Sequence, residues 1–347
     1  MKTNRTSYFA AASTSDGFDS NFGEIFAPEK FDTLYVLKGG PGCGKSTLMK
    51  RIASEAQRRN TDHIVYYCSA DTSSLDGVIL PQLATAVVDG TAPHTVDAAY
   101  PGAVEIIVDL GACFDRKRLS EVRDRIITAS NEYSAVRRRA DRWMRSAGNA
   151  YSACLISAEA IFDRAKSLRV AERIAAQFSR EKSPCFRRAY TSVLSAGGRC
   201  DLDTFFVAAE SVTDVGDELC AGRLFMRDVV SALRTGGVSH TVCPSVLAPT
   251  TCESVYIPSA RHLIRLHDKT ENEKFINPRR FIRDRDAEKR LAVRSGIRMT
   301  EKICDCAVGE MMRALAKHNE LETLYAPCVD FGAVDKIAND LILSIFG

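Results

Sequence analysis

The chain of 347 residues predicts an α/β fold, a mostly parallel sheet flanked by helices, tandemly duplicated and extended by helical arms. Three observations predict it. Short apolar, β-prone runs alternate with amphipathic helical stretches. The chain matches itself without gaps at an offset of 177 residues, Gly39 falling on Gly216. Two long proline-free stretches follow the alternating parts.

Composition sets the frame. Apolar residues make up 45% and charged residues 26%, which is enough apolar material for packed cores. The length suits two domains of roughly 100–200 residues, and the repeat places them at 1–182 and 183–347. A formal charge of +3 lacks the strongly basic balance of a nucleic-acid-binding domain. The apolar run near the N-terminus is too short for a secretory signal, and no stretch reaches the roughly 20 apolar residues that span a bilayer. A cytoplasmic protein without membrane contact is expected. The 12 cysteines show no zinc spacing, since Cys304 and Cys306 are separated by one residue, not two, with no His/Cys pair nearby.

Leu34–Leu37 reads as a buried strand. Lys38-Gly39-Gly40-Pro41-Gly42-Cys43-Gly44-Lys45-Ser46-Thr47 follows and fits G-x-x-x-x-G-K-[ST]. Leu48, Ile52 and Ala56 then mark one face of a helix. This strand–loop–helix order is the context a phosphate-binding P-loop demands. Glycines let backbone N–H groups converge at a helix N-terminus, where the dipole favours an anion. Lys45 adds a cation for the β- and γ-phosphates, the Ser46 hydroxyl is placed for Mg²⁺, and Thr47 reaches toward the α-phosphate. The nucleotide site is therefore expected at Gly39, Gly40, Pro41, Gly42, Cys43, Gly44, Lys45, Ser46 and Thr47.

A second acid should help hold the metal. His63–Cys68 reads as the next strand, ending near Asp71, and Ala84–Asp89 as a third. Asp89 then stands at the carboxyl end of a buried strand, the Walker-B position, and is expected on Mg²⁺ beside Ser46. Gly90 follows it, so there is no adjacent acid to activate water. The candidates for that task are Asp71 and Asp76, read as lying in the loop after the second strand, and His94; each also reads as an ordinary turn or capping residue.

The second copy has lost this chemistry. Lys45 maps onto Gly222, Ser46 onto Arg223, and Gly40, Gly42 and Gly44 onto Asp217, Leu219 and Ala221. Asp217 and Glu218 would bring negative charge to the phosphate position. This half is expected to keep an α/β core without binding nucleotide. Each half should end in a helical arm. One runs from Arg116 to Arg180, capped near Asp115, with Leu119, Val122, Ile126 and Ile127 at helical spacing; the other runs from about Arg279 to Tyr325.

Several stretches resemble a family of uncharacterised bacterial P-loop ATPases found mostly in Firmicutes. They are Ser7–Ala10, Leu37–Lys50, Leu75–Ile79, Asp89-Gly90-Thr91-Ala92-Pro93-His94, Tyr100–Val104, His318–Glu322 and Val329–Lys336. The resemblance implies two tandem P-loop halves, ATP as the nucleotide, and His94 as a γ-phosphate contact; the eroded second motif departs from it. The expected activity is Mg²⁺-dependent binding and hydrolysis of a nucleoside triphosphate, with ATP and Mg²⁺ bound in the first half. Two alternatives stay open: a P-loop kinase of a small molecule, and a nucleotide-gated interaction protein with little turnover. A protein partner or homo-oligomer is left open.

Overall fold

A computed structural model describes residues 5–92, 95–268, 274–283 and 287–347. The first half begins with β1 (Arg5–Phe9), the hairpin β2 (Ala11–Thr14) and β3 (Gly17–Ser20), and α1 (Phe22–Ile25). Then come β4 (Thr33–Lys38), α2 (Lys45–Arg58), β5 (His63–Tyr67), β6 (Leu75–Leu80), β7 (Thr85–Asp89) and β8 (Glu105–Asp109). The arm follows as α3 (Arg116–Glu121), α4 (Arg123–Ile161) and α5 (Arg164–Ala175). The second half repeats the series: β9 (Phe186–Arg188), β10 (Ser192–Ser195), β11 (Gly198–Asp201), α6 (Thr204–Ala208), β12 (Ser211–Val215), α7 (Ala221–Thr235), β13 (His240–Pro244), β14 (Cys252–Ile257), β15 (His262–Leu266), β16 (Lys274–Ile276), α8 (Ala287–Tyr325) and α9 (Phe331–Phe346).

The two sheets share one topology. The first has the order β1-β5-β6-β7-β4-β8, the second β9-β13-β14-β15-β12-β16. All neighbours are parallel except around β6 and β14, which run antiparallel to both of their partners. The duplication read from sequence is thus a duplication of fold. Even a left-handed residue is repeated, with φ 44° at Ala84 and 43° at Arg261.

Strands β4, β5 and β7 lie where apolar runs predict them. The segment after β5 differs: where the sequence reads as loop, the chain forms β6. Asp76 and Gly77 give Leu75–Leu80 the look of a turn. The segment is nevertheless fixed between β5 and β7, and Gly77 leaves room for the ring of Phe26, which a side chain would meet. Asp76 is accordingly a buried strand residue, not a loop residue.

Each sheet packs against the helix that follows its β4-type strand. In the first half Leu48, Met49, Ile52 and Ala56 of α2 meet Leu37, Val65, Val78 and Val87. The third component of this core comes from the far end of the chain: Val334, Ala338 and Leu341 of α9. Arg51 of α2 is held by Asp335 at 2.9 Å and Asn339 at 2.6 Å. The second core makes the reciprocal choice, taking Val170, Ala171 and Ala175 of α5 from the first half beside Leu224, Phe225 and Val229 of α7. The terminal helices are therefore exchanged between halves. Burying Val334 and Leu341 stabilises α9 in its place by about 3–6 kcal/mol.

The arms carry that exchange. Helices α4 and α8 each have 39 residues and, at 1.5 Å per residue, reach about 58 Å. They lie antiparallel, since Glu132 pairs with Lys317 and Arg139 with Glu310, while Cys154 faces Gly296. Ala140, Met144, Ala307 and Met311 form their central contact. Paired backbone crossings mark each end: Asp115 N–H donates to Cys328 O and Asp330 N–H to Cys113 O, at 2.7 and 2.8 Å; Asp163 N–H donates to Phe281 O and Arg283 N–H to Ile161 O, at 2.6 and 3.0 Å. Asp115, Asp163 and Asp330 then cap the helices that follow, each accepting backbone N–H groups. Among the described residues no helix is long and apolar enough to cross a membrane.

Candidate functional site

The loop between β4 and α2 is built as its residue types demand. Gly42 (φ 69°) and Gly44 (φ 92°) both take the left-handed region, so the loop can turn its amides inward and start a helix at Lys45. Cys43 is buried in the core beneath the loop, its Sγ 3.9 Å from Lys45 Nζ. Lys45 Nζ donates to Gly39 O at 2.8 Å and Gly40 O at 3.0 Å and lies 3.8 Å from Asp89 Oδ2. An ammonium group resting on loop carbonyls beside a carboxylate is positioned to exchange these partners for phosphate oxygens.

Asp89 ends β7, directly alongside Leu37 at the end of β4. Its Oδ1 accepts from Thr91 N at 2.9 Å and Thr91 Oγ1 at 2.5 Å, which leaves Oδ2 turned to Lys45. Ser46 Oγ accepts from Leu75 N at 3.0 Å. A hydroxyl oxygen has a second lone pair, so Ser46 keeps an acceptor for a cation. Ser46 and Asp89 are hard-oxygen donors of the kind magnesium takes, set at a loop whose left-handed turns at Gly42 and Gly44 call for glycine. Thr47 is exposed at the first turn of α2, Gly39 and Gly40 continue from β4, and Pro41 follows them into the turn.

The water-activating candidates separate. Asp71 accepts from Ser73 N at 3.0 Å and Ser73 Oγ at 2.7 Å, a turn-holding role. His94, with Pro93, lies outside the described residues. Asp76 is buried beside the site, and burial followed by the charge of Asp89 pushes its carboxyl up to about 7. In the unfolded chain it would titrate near 3.9. Between those values the folded state binds the extra proton, so stability falls as pH rises from about 4 to about 7. In metal-free buffer at pH 8, Asp76→Asn is expected to raise stability by roughly 2 kcal/mol, since each tenfold difference in proton affinity is worth about 1.4 kcal/mol and only part of it survives the substitution. The gain should vanish below pH 4. Urea unfolding in a chelator across that range checks it.

Three residues at this site come from the second arm. The carbonyl and Cα of Glu322 lie 3.2 and 3.3 Å from where a Cβ on Gly42 would sit. The ring of Tyr325, with that of Phe114, covers Gly40 in the same way, the two rings 5.5 Å from each other. His318 Nε2 stands 3.5 Å from Glu322 Oε1. The His318–Glu322 stretch carries part of the family resemblance, but nothing in its local sequence links it to a loop nearly 280 residues away. Only the exchange of arms brings them together.

The equivalent loop of the second half is shut. Gly222, at the lysine position, abuts the Gly216 carbonyl so closely that no side chain fits. Leu219 keeps the left-handed φ of its counterpart Gly42, at 53°, and Cys220 takes 61°, both without glycine, a strained arrangement. Arg223 sends its guanidinium to Asp217 at 3.0 Å and Glu253 at 2.6 Å, and Glu253 also meets Arg199 at 3.1 Å. Asp217, expected to oppose phosphates, is thus turned to Arg223. Burial acts to raise Glu253, but Arg223 and Arg199 outweigh it and bring it to about 2. Glu253 stands at the repeat position of Asp76, and there it is paired with two arginines.

Comparison with known proteins gives one partial likeness. The family model described as "Nephrocystin 3, N-terminal", a family found in P-loop NTPase-like proteins, matches residues 19–89. That stretch runs from β3 to the end of β7 and so includes the loop, α2 and Asp89. No curated protein and no solved structure matches the chain.

Proposed function

We propose that the first half binds a nucleoside triphosphate, ATP by the bacterial family resemblance, and hydrolyses its β–γ bond with Mg²⁺, while the second half binds no nucleotide. The observation that carries this reading is the loop itself: two left-handed glycines, a helix starting at Lys45, and Lys45 Nζ resting on Gly39 and Gly40 carbonyls with Asp89 at 3.8 Å. Ser46 and Asp89 would hold magnesium, which would supply charge neutralisation to the polyphosphate. Backbone amides from Cys43 to Ser46 and the α2 N-terminus orient the chain of phosphates, and Lys45 follows the charge that develops on the bridging oxygen. The match to a family found in P-loop NTPase-like proteins over residues 19–89 supports the same reading.

The test is a thermal-shift panel of ATP, GTP and the diphosphates, each with Mg²⁺ or chelator, followed by phosphate release. A ligand that binds only the folded chain raises its stability by about 2.7 kcal/mol at a hundred times its dissociation constant. MgATP is expected to raise the midpoint and to yield phosphate without an added acceptor. No shift with any triphosphate would sink the proposal. Binding with turnover only on adding an acceptor would make the protein a kinase, a reading that the lack of an acid next to Asp89 favours.

A further inference from the structure

We propose that Glu322, on the arm of the nucleotide-incompetent half, is a catalytic residue of the first site, its carboxylate orienting the water that attacks the γ-phosphorus. The inference rests on the hydrolase reading above and adds the group it lacks. Asp89 is followed by Gly90, and Asp71 is tied to Ser73. Among the described residues near Lys45, α8 supplies a further carboxylate.

The placement is specific. Glu322 lies against Gly42, in the middle of the loop whose amides face the phosphates. Its side chain is about half exposed, so water reaches it, and His318 backs it at 3.5 Å from the preceding turn of the same helix. His318 is in turn set against Tyr133 of α4, ring centroids 5.7 Å apart. Both arms therefore take part in fixing the carboxylate. His318 first, and then the Gly42 amide and Lys45, hold the Glu322 carboxyl below its ordinary range, so that it faces the loop as an anion. An anion against Gly42, on the loop that leads into Lys45, can accept a hydrogen bond from a water poised in line with the bond to be broken.

The step balances without any further reactant. The water oxygen bonds to the γ-phosphorus as the bond from that phosphorus to the bridging oxygen breaks. The electron pair stays on the diphosphate. The proton leaving the water passes to the Glu322 carboxylate and by way of His318 to solvent.

The test uses the full chain with MgATP and reads affinity and phosphate release separately. Glu322→Gln is expected to keep ATP affinity within about threefold of wild type and to lose turnover by about 100-fold or more, the range of a positioned acid or base. Unchanged turnover in Glu322→Gln overturns the proposal. So does tighter binding with equal or faster turnover, which would make the carboxylate a plug that nucleotide displaces. If Glu322→Gln melts well below wild type, Glu322→Asp carries the test: turnover should fall with affinity kept, and equal turnover overturns the assignment. The hydrolase reading fails separately, in the wild type, if MgATP does not bind or is not turned over; a failure confined to the Glu322 variants leaves it standing.

Discussion

Lys45→Ala is expected to lose nucleotide affinity by about 100-fold or more and to show no turnover, with a folded chain. On the proposed reading Lys45 would exchange its two carbonyl bonds for charge-assisted bonds to phosphate, each worth about 1.5–3 kcal/mol, and about 1.4 kcal/mol is a factor of ten. The fold should survive because Lys45 contributes little to the core: its ammonium bonds to the loop carbonyls of Gly39 and Gly40 and stands 3.8 Å from Asp89. Equilibrium binding of labelled ATP with and without Mg²⁺, beside a melting curve, checks both parts. Full affinity in a folded Lys45→Ala protein would show that the loop does not hold phosphate.

Arg223→Ala is expected to act oppositely, on stability first. From sequence alone Arg223 stands at the eroded serine position and should matter little to nucleotide. In the fold it is the cation between the buried Glu253 and the half-buried Asp217, with the Tyr151 ring 5.6 Å away. Removing one partner of a buried ion pair leaves uncompensated charge and costs about 3–5 kcal/mol. The expected result is a lower urea midpoint for Arg223→Ala, with nucleotide affinity changed little wherever the chain remains folded. The double variant Arg223→Ala/Glu253→Ala should cost less than the sum of the two single changes, by roughly 0.5–3 kcal/mol, because the groups share one network. Additive losses would show that the network is not coupled.

Much of this architecture is legible in the sequence, for identifiable reasons. The β4–loop–α2 unit announces itself because glycine placement, a lysine and helical periodicity fall within one local stretch. The repeat is legible because His63 and His240, or Pro81 and Pro258, hold equivalent places at one offset. Strand β6 escapes such reading because its Asp76 and Gly77 are justified only by neighbours: a site acid on one side, the Phe26 ring on the other. Glu322 escapes it for the same kind of reason at longer range. Its place follows from the path of two long helices, and periodicity reports that a helix exists but not where its end is delivered. Asp71 shows the converse, an acid in a suggestive position whose hydrogen bonds go to its own turn.

The exchanged helices make the second half part of the packing of the first. Val334 stands 3.4 Å from where a side chain on Gly44 would begin, Tyr325 covers Gly40, and α9 completes the packing of α2. The half with the eroded loop motif still furnishes a wall, a lid and a floor for the glycine-rich loop of its neighbour. Erosion of the motif in one copy of a duplicated chain therefore does not free that copy to decay. As long as each copy holds a structural part of the other, neither can be trimmed away without dismantling both.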